Sequence, residues 1–113
     1  MDARYVQRGD AIDYTPAADV AAGDVVILAS KLVGVAKLDI KTGELGALAL
    51  TGVYEVPKTS GAAFAAGAEV GWDAANRKAV VSGAAGSVKM GHAVAQADAA
   101  DQTVFVRLCQ GIA

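Results

Sequence analysis

The apolar residues of this chain fall into short runs that glycine and polar residues interrupt every few positions. In the run "TVFVRLC" at 103–109, Val104, Val106 and Leu108 alternate with the residues between them. A period of two is typical of a β-strand with one buried face. Further runs rich in valine and leucine predict strands at 24–30, 32–40, 45–56 and 78–82.

Short polar segments connect these predicted strands. A Thr-Gly pair in "DIKTGEL" and Asn76 in "WDAANRKAV" stand where hairpin turns are expected. The alanine clusters at 17–22, 62–68 and 97–100 contain glycine or have no consistent apolar face. We interpret them as connections with at most one short helical turn. The pattern predicts an all-β chain, either a small compact β-barrel or a β-sandwich.

A faint internal repeat runs through the chain. "VAAGDVV" at 20–26 is echoed by "FAAGAEV" at 64–70, and "GVAKLDIKTGELGALALTG" at 34–52 by "GHAVAQADAADQTVFVRLCQG" at 91–111. The second half carries an additional hairpin, "GWDAANRKAVVSGAAG". A duplication of this kind predicts two similar halves. Chance similarity in a chain rich in alanine, glycine and valine is the alternative explanation.

Length and composition limit what the chain can do. With 113 residues it forms one domain, and its 54% of hydrophobic residues suffice for a core. Many of these are alanine and only 5% of the residues are aromatic, so the core is thin and association with identical copies is attractive. A net charge of −2 argues against nucleic acid, which requires a basic surface.

Cysteine content and terminal composition narrow the cellular setting. Cys109 is the single cysteine, so it forms no intrachain disulfide, and we expect a small buried apolar side chain rather than a reactive thiol. The charged start "MDARYVQRGD" is unlike a secretory signal, and charges interrupt every apolar stretch before it reaches the ~20 residues of a membrane span. We expect synthesis in the cytoplasm and no membrane partner.

No catalytic, metal-binding or nucleotide-binding motif emerges. His92 is the single histidine, and Ser60, Ser82 and Ser87 have no nucleophile-elbow context. One histidine and one cysteine cannot form a zinc site, and the aspartates between positions 10 and 24 do not have calcium-loop spacing. "GAAGSVKMG" at 83–91 does not end in the Gly-Lys-Ser/Thr of a phosphate loop. We therefore predict no cofactor and no catalytic residue.

Several motifs follow one another in order along nearly the whole chain: "YVQRGD", "GVAKLDI", "GVYEVPK", "GWDAANR", "GHAVA" and "VFVRL". Each is weak alone, but the ordered set resembles the phage capsid cement, or head decoration, family. That family was long catalogued as a domain of unknown function, and some members are labelled RecA/RadA-type recombinases. The missing phosphate loop argues against that label. One departure is Arg8, which stands where the family usually has proline.

The resemblance implies a small all-β, non-enzymatic protein of a tailed phage or prophage, added to the outside of the expanded capsid. Its implied partner is the major capsid protein, its implied location the virion surface, and its implied oligomer a trimer. The alternative from another class is a small β-barrel module that binds a ligand or carbohydrate. An enzyme or recombinase accessory is the weakest reading. Sugar and ligand pockets usually need aromatic rings for stacking, so the low aromatic content favours the capsid protein over the binding module.

The candidate contact residues are Tyr5, Val6, Tyr54, Lys58 and Trp72. Pro57 would blunt the end of the strand "VYEVP" and leave Lys58 free to face an acidic surface. Trp72 is expected either to fill the core or to anchor a contact.

Residues 1–14 form a possible N-terminal arm. Tyr5 and Val6 are apolar residues inside its polar sequence, an arrangement suited to strand addition on a partner. The alternative is that residues 5–7 form the first strand of the protein's own sheet.

Overall fold

Nine β-strands and no helix make up the described part of the chain. The computed structural model describes residues 2–6, 9–29 and 31–108. None of the described segments forms a helix with the length and apolarity that a membrane span needs. The strands are β1 (Ala11–Tyr14), β2 (Val25–Leu28), β3 (Leu32–Ala36), β4 (Gly46–Ala49), β5 (Val53–Pro57), β6 (Glu69–Asp73), β7 (Lys78–Val81), β8 (Ser87–Ala93) and β9 (Thr103–Leu108).

The strands form two antiparallel sheets. Sheet 1 has the order β1-β4-β3-β2, and sheet 2 has the order β5-β9-β8-β6-β7. The alternating residues of β9 divide as expected, since Val104, Val106 and Leu108 are buried while Thr103, Phe105 and Arg107 are exposed. The predicted all-β class is therefore confirmed, in the form of a small β-sandwich.

The main core lies where one face of sheet 1 packs on sheet 2. Sheet 1 contributes Val25, Val33 and Val35, which are buried together with apolar residues of sheet 2 such as Trp72 and Met90. A second, smaller cluster on the other face of sheet 1 contains buried Ala36, Ile40 and Leu48. Ile40 and Leu48 supply most of the buried apolar area of this second cluster, and partly buried residues of sheet 1 such as Ile12 and Val26 pack against them.

The two sheets repeat the same strand order. Strands β1, β4, β3 and β2 correspond to β5, β9, β8 and β6, and β7 is the additional strand of the second half. Equivalent backbone hydrogen bonds recur: Gly23 N donates to Ala36 O at 2.6 Å, and Gly67 N donates to Ala93 O at 2.7 Å. The predicted pair of similar halves is thus confirmed by backbone geometry and not only by sequence.

The repeat extends to the junctions around these strands. Val20 and Ile40 form a mutual backbone bridge, as do Phe64 and Ala97. At the sheet edges, Leu50 N donates to Asp10 O at 2.8 Å, and Leu108 N donates to Gly52 O at 2.9 Å. The residues at these junctions of the first half therefore have identifiable counterparts in the second.

Several predicted strand boundaries were wrong. The strand predicted at 45–56 is interrupted at Gly52, whose φ of 115° is a backbone conformation that glycine adopts readily. β4 and β5 therefore lie in different sheets. The strand predicted at 32–40 ends at Ala36. Ala11–Tyr14, the last four residues of the predicted arm, form β1. Cys109 lies outside the described residues, so its expected burial stays a prediction.

Two equivalent glycines offer a test of the repeat. Gly23 and Gly67 have φ values of 90° and 88°, and an added Cβ would meet no atom within 4 Å at either position. Gly23→Ala and Gly67→Ala should each lower the free energy of unfolding by about 1–2 kcal/mol, because only backbone strain changes. Gly9→Ala, with equal space and no positive φ, is the control for urea denaturation. Strongly unequal losses at the two repeat positions would contradict the equivalence.

Candidate functional site

The structure separates the candidate contact residues into buried and exposed ones. Trp72 and Lys58 are each only 3% exposed, so they present almost no area to a partner. Trp72 packs in the main core, which was one of its two expected roles. The expectation that Lys58 is free to face an acidic surface was wrong.

Lys58 is held by backbone carbonyl groups instead. Its Nζ donates hydrogen bonds to the carbonyl oxygens of Ala62, Ala99 and Thr59, the last two at 3.3 and 3.5 Å. These acceptors belong to two different loops, 59–62 and 98–102. The ammonium group therefore connects the loop after β5 to the loop before β9.

Replacing this lysine tests that role. Lys58→Met retains most of the aliphatic chain but leaves the carbonyl groups without their charged donor, so we expect a loss of roughly 2–3 kcal/mol in the free energy of unfolding. The control is Lys31→Met, at an exposed position, for which a change within about 0.5 kcal/mol is expected. Equal urea midpoints for the two variants would refute the structural role of Lys58.

Tyr54 also serves the fold more than the surface. It is half-buried, it packs against the main core, and its hydroxyl donates to the carbonyl oxygen of Thr51 at 3.0 Å. Its ring lies over Gly52, where an added Cβ would approach the ring at 3.2 Å. Tyr54 thus stabilises the turn that separates the two halves, and only part of its ring reaches solvent.

Tyr5 and Val6 are the candidates that lie fully at the surface. Their side chains are 79% and 80% exposed, and neither belongs to a strand. Tyr5 and Val6 lie in no strand, so the alternative that residues 5–7 form the first strand of the protein's own sheet does not hold for these two residues. Gln7 lies outside the described residues. Two adjacent apolar side chains at this exposure are unusual unless another surface covers them.

Sequence reasoning missed a groove at the edge of sheet 1. Its volume is about 630 Å³. Leu38 and Leu45, at 77% and 72% exposure, stand in its wall, and alanines of β1 and β4 line it. The residues come from separate loops and strands, so no single stretch of sequence signals the groove.

A second exposed apolar area lies on the outer face of sheet 2. Phe105 is 47% exposed, and its neighbours Val53 and Val94 are 56% and 45% exposed. Glu55 and Arg107 stand among them. This face is therefore mixed in polarity, as is the groove.

Carboxylates in the turns are bound by local hydrogen bonds. A hydrogen bond from the side-chain amide of Asn76 makes the largest contribution to lowering the pKa of Asp73 below its ordinary value, and a hydrogen bond from the backbone N–H of Asn76 makes the next largest. The backbone N–H and hydroxyl of Thr42 lower the pKa of Asp19 in the same way. Hydrogen bonding and ion pairing with Lys89 lower the pKa of Glu69. Each of these three carboxylates is therefore bound by donors of the protein itself.

The lowered pKa values predict an acid-dependent loss of stability. A carboxylate whose pKa is depressed in the folded state stabilises the protein fully above its unfolded pKa of about 4 and loses this contribution as the pH falls through the folded value. Asp73→Asn should therefore make the urea midpoint less dependent on pH between about 4.5 and 2.5. An unchanged pH dependence would contradict the role of Asp73. Leu38→Ala, which changes no titrating group, is the control.

The described residues contain no group of three histidine, cysteine, aspartate or glutamate side chains placed to hold a metal ion. His92 lies opposite Glu69 and Arg107 on neighbouring strands.

Comparisons with known proteins agree with a structural role. No curated protein and no solved structure matches the chain significantly. A family model described as phage cement protein matches residues 6–108, a span that begins at Val6 and ends with the last residue of β9. This match covers both halves of the fold and all but a few residues of the chain. The chain belongs to the phage cement protein family.

Proposed function

We propose that this protein decorates the outer surface of the expanded phage head and stabilises it by bridging neighbouring subunits of the major capsid protein. The observation that carries the proposal is the family match over residues 6–108. The protein acts as a homotrimer without catalysis or cofactor. It is made in the cytoplasm of the bacterial host and functions in the virion.

The surface is suited to such a role. Its largest exposed apolar side chains are spread over the N-terminal segment, the groove and the outer face of sheet 2. Separate contact areas allow one small protein to touch more than one neighbour. Tyr5 and Val6 are the proposed anchor on a neighbouring protein of the head, and the outer face of sheet 2 around Phe105 is a further contact area.

Repetition supplies the binding strength in this proposal. Each copy contributes a modest contact, but copies linked to one another attach through several contacts at once. The second contact is then intramolecular, so the overall affinity exceeds that of a single contact by about 10²–10⁴-fold. Modest individual contacts can in this way resist the internal pressure of packaged DNA.

The alternative, a ligand- or carbohydrate-binding module, has less support. Among the described residues, those that line the groove are aliphatic, polar or charged and include no aromatic ring. Sugar recognition commonly uses stacking on such rings. Nothing in the groove therefore favours a carbohydrate.

Binding to heads tests the proposal. Purified protein should cosediment saturably with expanded heads that lack it, and should bind unexpanded proheads far less. The decorated heads should retain their DNA at higher temperature than bare heads. Absence of binding to expanded heads, or binding without any protection, would overturn the proposed function.

A further inference from the structure

The internal repeat assigns the groove a counterpart on sheet 2. A cavity of about 220 Å³ is lined there by the loop before β9 and by Val104 and Phe105. Ile40 in the groove corresponds to Ala97 in that cavity, since each forms the same backbone bridge. The groove and the smaller cavity are thus the same place in the two halves.

The register of the strands shows why the two volumes differ. Asp13 pairs with Ala47 as Glu55 pairs with Phe105, so Ala47 is the counterpart of Phe105. The pair of Ala11 with Ala49 corresponds in the same way to the pair of Val53 with Arg107. Sheet 1 has three alanines where sheet 2 has the larger side chains of Phe105, Val53 and Arg107. Two of these three larger side chains are apolar, one aromatic and one branched, and neither type is present at the corresponding positions of the groove.

We propose that the groove binds the side chains of Tyr5 and Val6 from a second copy of this chain. Together these supply one aromatic and one branched apolar side chain, the two apolar types that stand at the counterpart positions of sheet 2. A volume of about 630 Å³ has room for both, since small-ligand pockets measure about 300–1,000 Å³. Burial would also cover the exposed side chains of Leu38 and Leu45.

Charge favours the same occupant. Among the described residues, the charged ones that line the groove are Asp10, Asp39, Glu44 and Lys37. In this described lining, carboxylates outnumber ammonium groups. In the sequence, Arg4 and Arg8 flank Tyr5 and Val6, so the entering segment brings positive charge on both sides of its apolar pair. Such complementarity favours association and fixes its orientation.

The occupant comes from another copy because the chain's own Tyr5 and Val6 do not fill the groove. They remain 79% and 80% exposed although Asp10, at the rim of the groove, follows them closely in the sequence. One segment and one groove per copy form a head-to-tail contact. A contact of this kind closes into a ring when the rotation between copies allows it. The inference concerns association of the free protein and can fail while capsid binding holds.

Two variants block the two sides of the contact. Ala47→Phe fills the groove with the side chain that its counterpart position already carries, at a residue that is exposed and therefore tolerant. The double change Tyr5→Ser and Val6→Ser removes the entering side chains. By analytical ultracentrifugation, each variant should associate ~30-fold more weakly than the unaltered protein, the effect of losing a contact hot spot. Ala74→Phe, in the exposed turn between β6 and β7, should associate as the unaltered protein does.

Mixing the two variants distinguishes this contact from any other. The Ala47→Phe chain keeps its segment, and the double variant keeps its groove, so the mixture can form one contact and should give 1:1 heterodimers. Circular dichroism verifies that both variants are folded. An unaltered protein that stays monomeric, or a mixture that forms no heterodimer, would overturn the inference. So would Ala47→Phe protein that associates normally but no longer binds heads, because the groove would then hold a capsid segment.

Discussion

Trp72→Ala should unfold the protein or leave it barely stable, with a loss of about 3–5 kcal/mol in the free energy of unfolding. Trp72 is 3% exposed in the main core. It pairs with Ala79 on β7 and Val88 on β8, so its removal leaves a cavity between three strands. Because domains are stable by only about 5–15 kcal/mol, and this core is thin, the loss is a large part of the total.

The comparison that isolates burial is Phe105→Ala. Phe105 is also aromatic and lies on a central strand of the same sheet, but it is 47% exposed, so we expect a loss well below that of Trp72→Ala. Urea denaturation followed by circular dichroism measures both, since Trp72 is the single tryptophan and its removal abolishes the fluorescence signal. Similar losses at the two sites would show that Trp72 is not the centre of the core.

The strongly alternating strand β9 could be predicted from sequence, whereas β6 and β8, each with a glycine in a buried position, were not. β9 alternates over its full length and was located to within one residue. β6 and β8 carry Gly71 and Gly91, and the pairing between them shifts at a bulge next to Gly71. Glycine and a bulge both break the period of two on which the prediction depends.

The contact residues were harder to predict because burial depends on loops that are distant in sequence. Lys58 follows a proline at the end of an edge strand, a position that is ordinarily exposed. It is buried because two loops, one more than 35 residues further along, supply its acceptors. The groove could not be predicted from the sequence for a different reason. An alanine in a strand does not indicate that the counterpart position in the other half carries a larger side chain. Only the aligned registers of the two sheets relate Ala47 to Phe105.

The position of the N-terminal segment has a consequence for how the protein holds the head. The side chains of Tyr5 and Val6 are exposed. The chain first pairs with sheet 1 at Asp10, whose carbonyl oxygen accepts a hydrogen bond from Leu50 N. The described residues before Gly9 can therefore be removed without cutting a strand. If the proposed function holds, attachment to the capsid and folding stability are separable properties.

Deleting residues 1–7 should abolish stable attachment to heads and leave the fold intact. The deleted part includes Tyr5 and Val6, the anchor proposed above, and without it each copy loses the contact that links it to its neighbours on the head. Because a single remaining contact lacks the gain from multivalency, retention should fall by at least ~100-fold. The melting temperature should change little, since β1 begins only at Ala11.

The matched control is Asp2→Ala with Arg4→Ala in the full-length chain, which alters the charge of the segment and keeps both apolar side chains. Cosedimentation with expanded heads and thermal denaturation measure the two properties. A truncated protein that unfolds, or one that cosediments as well as the full chain, would refute the anchoring role of this segment.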